Sequence, residues 1–95
     1  MIKDITHKEL VDIIRAVNNA YYTDGGISGV NRYLSTINIS SNMSITEMIA
    51  YVRVSALFGR EKMPHHSRLL REIQYELRRR GETKERISKL LTGLI

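Results

Sequence analysis

Residues 64–81 read PHHSRLLREIQYELRRRG, and this stretch decides the fold class. Proline costs nothing at the first helical position, where its missing N–H would have no intrahelical acceptor, and glycine just past the end accepts a left-handed cap. Between them Leu, Arg, Glu and Gln are strong helix formers. At 100° per residue, Leu69, Leu70, Ile73 and Leu77 fall within an arc of about 100°, the width of a core-facing stripe. The opposite arc, also about 100° wide, carries Arg68, Arg71, Tyr75, Arg78 and Arg79. Glu72 and Glu76 flank that arc at i±4 from Arg68 and Arg80, so ion pairs along the helix are expected.

The basic face has two readings. Arginines opposite an apolar stripe describe any solvated helix face, and Arg78, Arg79 and Arg80 complement the dipole at the helix C-terminus. Alternatively, guanidinium groups fork onto phosphate oxygens while the Tyr75 ring stacks on a base.

Downstream of Gly81, Thr83 caps a last helix from about Lys84 to Thr92, with Ile87, Leu90, Leu91 and Leu94 turned inward. Its outer face adds Lys84, Arg86 and Lys89 to the basic set. The tight turn between the two helices predicts a hairpin. Upstream, Ser44-Ile45-Thr46-Glu47 is a capping box that opens ITEMIAYVRVSALF. That segment is apolar nearly all round and predicts a central helix ending at Gly59, with Arg53 snorkelling. The same apolar surface is alternatively a homodimer seam over residues 45–58, since a small domain often completes its core by self-association.

The N-terminal third begins at another capping box, Thr6 with Glu9, and Leu10, Ile13, Ile14, Val17, Ala20 and Tyr21 recur at helical spacing. A helix from about His7 to Tyr22 follows. Thr23-Asp24-Gly25-Gly26 breaks it. The two glycines lack the Lys-Ser/Thr of a phosphate-cradling P-loop and follow a helix, so they read as a connector. Ser28 is the expected cap of a short second helix carrying Val30, Tyr33 and Leu34. A helix-turn-helix fits poorly here, because the gap looks longer than a three- to four-residue turn and no small residue marks a close helix contact. If that helix were exposed, Asn31, Arg32 and Ser35 would suit base or phosphate contacts. Residues 37–42 alternate apolar and polar but have no partner strand, and read as a loop.

Charge is distributed unevenly. Residues 1–59 carry five basic and five acidic side chains, whereas residues 60–95 carry ten and five, so the whole formal excess of +5 lies in the last 36 residues. Such asymmetry points to a polyanion or an acidic protein surface as partner. With no cysteine there is neither a disulfide framework nor a thiolate site. The polar start MIKDITHKEL lacks a signal-peptide core and no apolar run reaches membrane-spanning length, so a cytoplasmic protein without membrane association is expected.

Chemistry-bearing constellations are scarce. His65 and His66 diverge by 100° on a helix, and their i+4 neighbours Leu69 and Leu70 cannot ligate, so no metal site is expected. His66 falls in the apolar arc, while His65 lies toward solvent beside Arg68. No Gly-x-Ser-x-Gly elbow or spaced carboxylate pair appears, and neither catalysis nor a cofactor is expected. No local run matches a known nucleotide, metal or nucleic-acid signature.

The expectation is an all-α, single-domain bundle of about five helices spanning residues 1–95. It has a central apolar helix and a basic C-terminal hairpin. The leading functional expectation is a nucleic-acid-binding regulator using Arg68, Arg71, Arg78, Arg79, Lys84, Arg86 and Lys89 on phosphates, with Tyr75 stacking. The alternative is a non-enzymatic protein-interaction module, an adaptor or inhibitor of the phage- or plasmid-type accessory kind. It would dock on an acidic or nucleic-acid-binding surface of a larger complex, as a monomer or homo-oligomer.

Overall fold

The computed structural model describes residues 3–94, and among these the chain forms five α-helices and no strand. In chain order they are α1 (His7–Thr23), α2 (Ile27–Leu34), α3 (Ile45–Ala56), α4 (Pro64–Arg79) and α5 (Lys84–Leu90), with a single 3-10 turn at Arg60–Lys62. Helix α1 packs on α2 and α3, and α4 packs on α2, α3 and α5. No helix among the described residues is long and apolar enough to cross a membrane.

Three of the expected capping residues act where the sequence puts them. Thr6, Ser44 and Thr83 each accept a backbone N–H three residues on, from Glu9, Glu47 and Arg86. At Thr6 the reciprocal bond differs from a capping box. The Thr6 hydroxyl donates to Glu9 Oε1 at 2.9 Å, so the carboxylate satisfies the side chain rather than the backbone.

Helix α2 starts earlier than Ser28. Gly26 occupies its N-cap at φ 70°, and the same residue closes α1 by donating its N–H to the Tyr21 carbonyl at 2.8 Å. One glycine in the left-handed region therefore ends one helix and begins the next. The intervening turn shrinks to residues 24–26. Gly29 lies so close to α1 that a Cβ there would sit 2.2 Å from the Ala20 carbonyl oxygen. Both sequence objections to a helix-turn-helix, a long gap and no small contact residue, are thus removed by the structure. The exposed residues of α2 are Ser28 and Arg32, followed by Ser35 at its C-cap.

The core stripe of α4 is as the sequence requires: Leu69, Leu70, Ile73 and Leu77 are buried, together with His66. They meet Val17 of α1, Val30 and Leu34 of α2, Met48 and Val52 of α3, and Leu91 beyond α5, all in one cluster. Burial of each such side chain is worth roughly 1.5–3 kcal/mol. Expected core positions differ in degree. Ile14 is 39% exposed, and Leu10, Tyr21, Tyr33 and Leu90 are only half-buried. Helix α3 is the central helix its composition predicts: Met48, Ile49, Ala50, Val52 and Ser55 are buried and only Thr46 and Arg53 along it are exposed, while its C-terminal neighbour Leu57 is 81% exposed. Helix α5 stops at Leu90 and turns carry the chain on, so Leu91 and Leu94 still reach the core.

The connector between α2 and α3 is tied to α4 by two arginines. Arg68 Nη2 donates to the Leu34 and Ile37 carbonyls at 3.1 and 3.0 Å. Arg80 Nη2 reaches the Ser40, Ser41 and Met43 carbonyls at 3.4, 3.2 and 2.6 Å. A loop without secondary structure leaves its carbonyls unpaired, and charged guanidinium forks satisfy several at once.

Candidate nucleic-acid interface

Helix α4 presents its basic residues in two roles set by their distance from the connector. Arg68 is three-quarters buried: besides the two carbonyls it pairs with Glu72 and donates from Nε to His65 Nδ1 at 3.0 Å. Arg80 is 16% exposed and holds Glu76 at 2.7 Å. Arg79 grips the same carboxylate through Nε and Nη2 at 3.0 and 2.7 Å. Hydrogen bonds from Arg79 and then Arg80 hold the Glu76 carboxyl down at about 2, well below the usual carboxylate range. The i±4 pairs Arg68–Glu72 and Glu76–Arg80 are those the sequence spacing predicts.

Arg71, Tyr75 and Arg78 remain outside this network. None makes a hydrogen bond or ion pair to another described side chain, and Tyr75 is 74% exposed. Arg71, Tyr75 and Arg79 line one groove of about 560 Å³ with Ile39, Glu72 and Glu76. Arg71 and Arg79 sit one helical turn before and after the ring. The two carboxylates in the groove are already paired to arginines, so its remaining valence is positive.

The last helix contributes less uniformly. Arg86 approaches Glu82 at 3.7 Å. Lys84 is exposed at the first turn of α5. Lys89 opens onto a different groove of about 490 Å³ between α1, α3 and α5, with Arg53 and the apolar side chains of Leu10, Ile45, Ile49, Val54 and Leu90. Of the eight candidate residues, the structure brings Arg71, Tyr75 and Arg79 together on one groove, sets Arg68 inward, and puts Lys89 on another groove.

The two histidines part as helical spacing dictates. His66 is 2% exposed, with Ser55 Oγ 3.4 Å from Nδ1, and its Nε2 has no hydrogen-bond partner. Burial pushes its pKa below the ordinary value, the Leu94 backbone opposes that, and the Arg60 charge adds to it. No group of three His, Cys, Asp or Glu among the described residues is arranged to hold a metal ion.

A third groove, polar throughout except for Ile27, lies between α2 and the start of α4 and is lined by Ser28, Asn31, Arg32, Ser35, Lys62 and His65. Sequence reasoning had the α2 residues as contacts conditional on exposure, but not their meeting with Lys62 and His65. That meeting joins residues about 30 positions apart in sequence, and only packing creates it. Compared with known proteins, the chain matches no family model, no curated protein and no solved structure.

Proposed function

We propose that the protein binds nucleic acid through α4, with phosphates held by Arg71, Arg78 and Arg79 and an unstacked base on Tyr75. The carrying observation is the exposed tyrosine between two arginines one turn away on either side, in a groove whose carboxylates are already neutralised. An aromatic ring left in water gains from stacking on a base, worth ~1–3 kcal/mol, while guanidinium groups supply the sequence-independent attraction. Lys84, Arg86 and Lys89 extend the positive field beyond the groove.

The test is fluorescence anisotropy with a labelled single strand and a mixed duplex over a salt series. For two to four neutralised phosphates, the log–log slope on a single strand is about −1.4 to −2.8. Tyr75→Ala should weaken single-strand binding about tenfold and leave the unfolding midpoint unchanged, and Tyr75→Phe should retain most of the affinity. Absence of binding at low salt overturns the reading.

A second reading is supported by the apolar groove between α1, α3 and α5. Its Arg53 and Lys89 rim suits a helix carrying apolar and acidic side chains, in a protein partner or a second copy of the chain. Under this reading a purified partner binds equally well after nuclease treatment, and Leu90→Asp abolishes the complex. A strict monomer by light scattering at high concentration removes the homodimer form.

A further inference from the structure

We infer that the polar groove between α2 and the start of α4 is a phosphate-binding subsite, separate from the Tyr75 groove. Internal hydrogen bonds fix which end of each polar group faces out. Asn31 Oδ1 accepts the His65 backbone N–H at 3.0 Å. This caps α4, whose N-cap residue Met63 has no side chain able to do so. With its oxygen engaged, the Asn31 amide has only its NH₂ left to offer.

His65 is set the same way. Its Nδ1 accepts from Arg68 Nε at 3.0 Å, which leaves the ring proton on Nε2 as a donor. Arg32 engages Asp24 through Nη1 at 2.7 Å, so its Nε and Nη2 donors stay unused. Lys62 is exposed and makes no ion pair among the described residues. The groove thus offers an ammonium, part of a guanidinium, an amide NH₂ and an imidazole N–H, and no carboxylate lines it. A surface dominated by donors, in which only the Ser28 and Ser35 hydroxyls can also accept, is complementary to an oxyanion with several lone pairs, and a phosphate group fits that description.

A tertiary contact, and not a local motif, sets up the site: the Asn31 amide is turned outward by the helix it caps. The inference does not rest on the strand-binding reading, because the first probe is inorganic phosphate. The experiment is a titration of the full chain by 1H–15N NMR, following the Asn31 side-chain amide and the His65 backbone amide, with sodium chloride at matched ionic strength as control.

Saturable shifts with phosphate beyond the chloride control are expected. Lys62→Ala should weaken phosphate binding about tenfold, as loss of a charge-assisted bond does, with the unfolding midpoint unchanged. Shifts no larger than with chloride, or a Lys62→Ala variant that binds phosphate as wild type does, overturn the proposal. Two further probes identify the source of the phosphate. Tighter saturation by a 5′-phosphorylated trinucleotide than by its unphosphorylated form assigns the subsite to a strand end. Equal saturation by both assigns it to internal phosphodiesters. If inorganic phosphate saturates these signals while neither trinucleotide moves them or the Tyr75 region, the subsite stands for free phosphate and the strand-binding reading fails alone.

Discussion

The connector-facing edge of α4 and its open edge carry the same residue type with opposite consequences. Arg68 and Arg80 lie on the first and together satisfy five carbonyls of residues 34–43. Arg71 and Arg78 lie on the second and make no bond to the described residues around them. Their helix propensity and charge are identical. What differs is the presence, a few ångströms away, of a loop whose backbone needs donors. An arginine run therefore says nothing by itself about ligand binding until the intramolecular acceptors have been accounted for.

The connector-facing edge should be the more sensitive to substitution. Arg80→Ala removes a largely buried partner of Glu76 and leaves the Ser41 and Met43 carbonyls without their donor, while the Ser40 carbonyl keeps the Met43 N–H. Breaking such a pair should cost about 3 kcal/mol, at the low end for buried ion pairs because Arg79 still holds Glu76. Urea unfolding of the variant measures it. A change under about 0.5 kcal/mol would mean that the clamp contributes no more than a surface charge.

An intermediate effect is the acid limb of stability. His66 has a folded pKa below its ordinary 6.5, so its contribution is full above pH 6.5 and declines as pH falls through the folded value. Glu76 has its folded pKa depressed from 4.5 to about 2, so its contribution is full above pH 4.5 and is lost as pH falls toward 2. Unfolding midpoints measured across pH should therefore fall in two stages, the first below pH 6.5 and the second below 4.5. Arg80→Ala should shrink the second stage only. A single stage, or an unchanged second stage in the variant, contradicts the assignment.

The open edge of α4 should tolerate substitution. Arg78→Ala should shift the unfolding free energy by no more than about 0.5 kcal/mol, as exposed substitutions do. Its effect should appear instead as a salt slope on single-strand binding reduced by about 0.7. Destabilisation comparable to that of Arg80→Ala would show that the two edges are not distinct.

Much of this fold could be read without coordinates, because the relevant forces act within one or two helical turns. The Thr6, Ser44 and Thr83 caps, Pro64 at the first turn of α4, Gly59 and Gly81 as stops, and the Leu69–Leu70–Ile73–Leu77 stripe all follow from spacing and local hydrogen bonding. The misreadings occur where a residue serves two elements. Gly26 closes α1 and opens α2 at once, so Ser28 is not needed as a cap. Ile14 repeats at helical spacing yet stays 39% exposed, and Leu57 just beyond α3 is 81% exposed. At the candidate site, Arg71, Tyr75 and Arg79 were legible as one face of a helix, but the inward turn of Arg68 and the separation of Lys89 were not.

The sequence alone determined an all-helical chain, its breakpoints, its core stripe and the confinement of net charge to residues 60–95. These rest on periodicity and capping, which are properties of neighbours in the chain. Only the tertiary structure decided which arginines are consumed by the connector's carbonyls, and which polar groups of α2 meet Lys62 and His65 in a donor-lined groove. Those outcomes depend on contacts across 30 to 40 positions, where an unpaired carbonyl on one segment selects a donor on another.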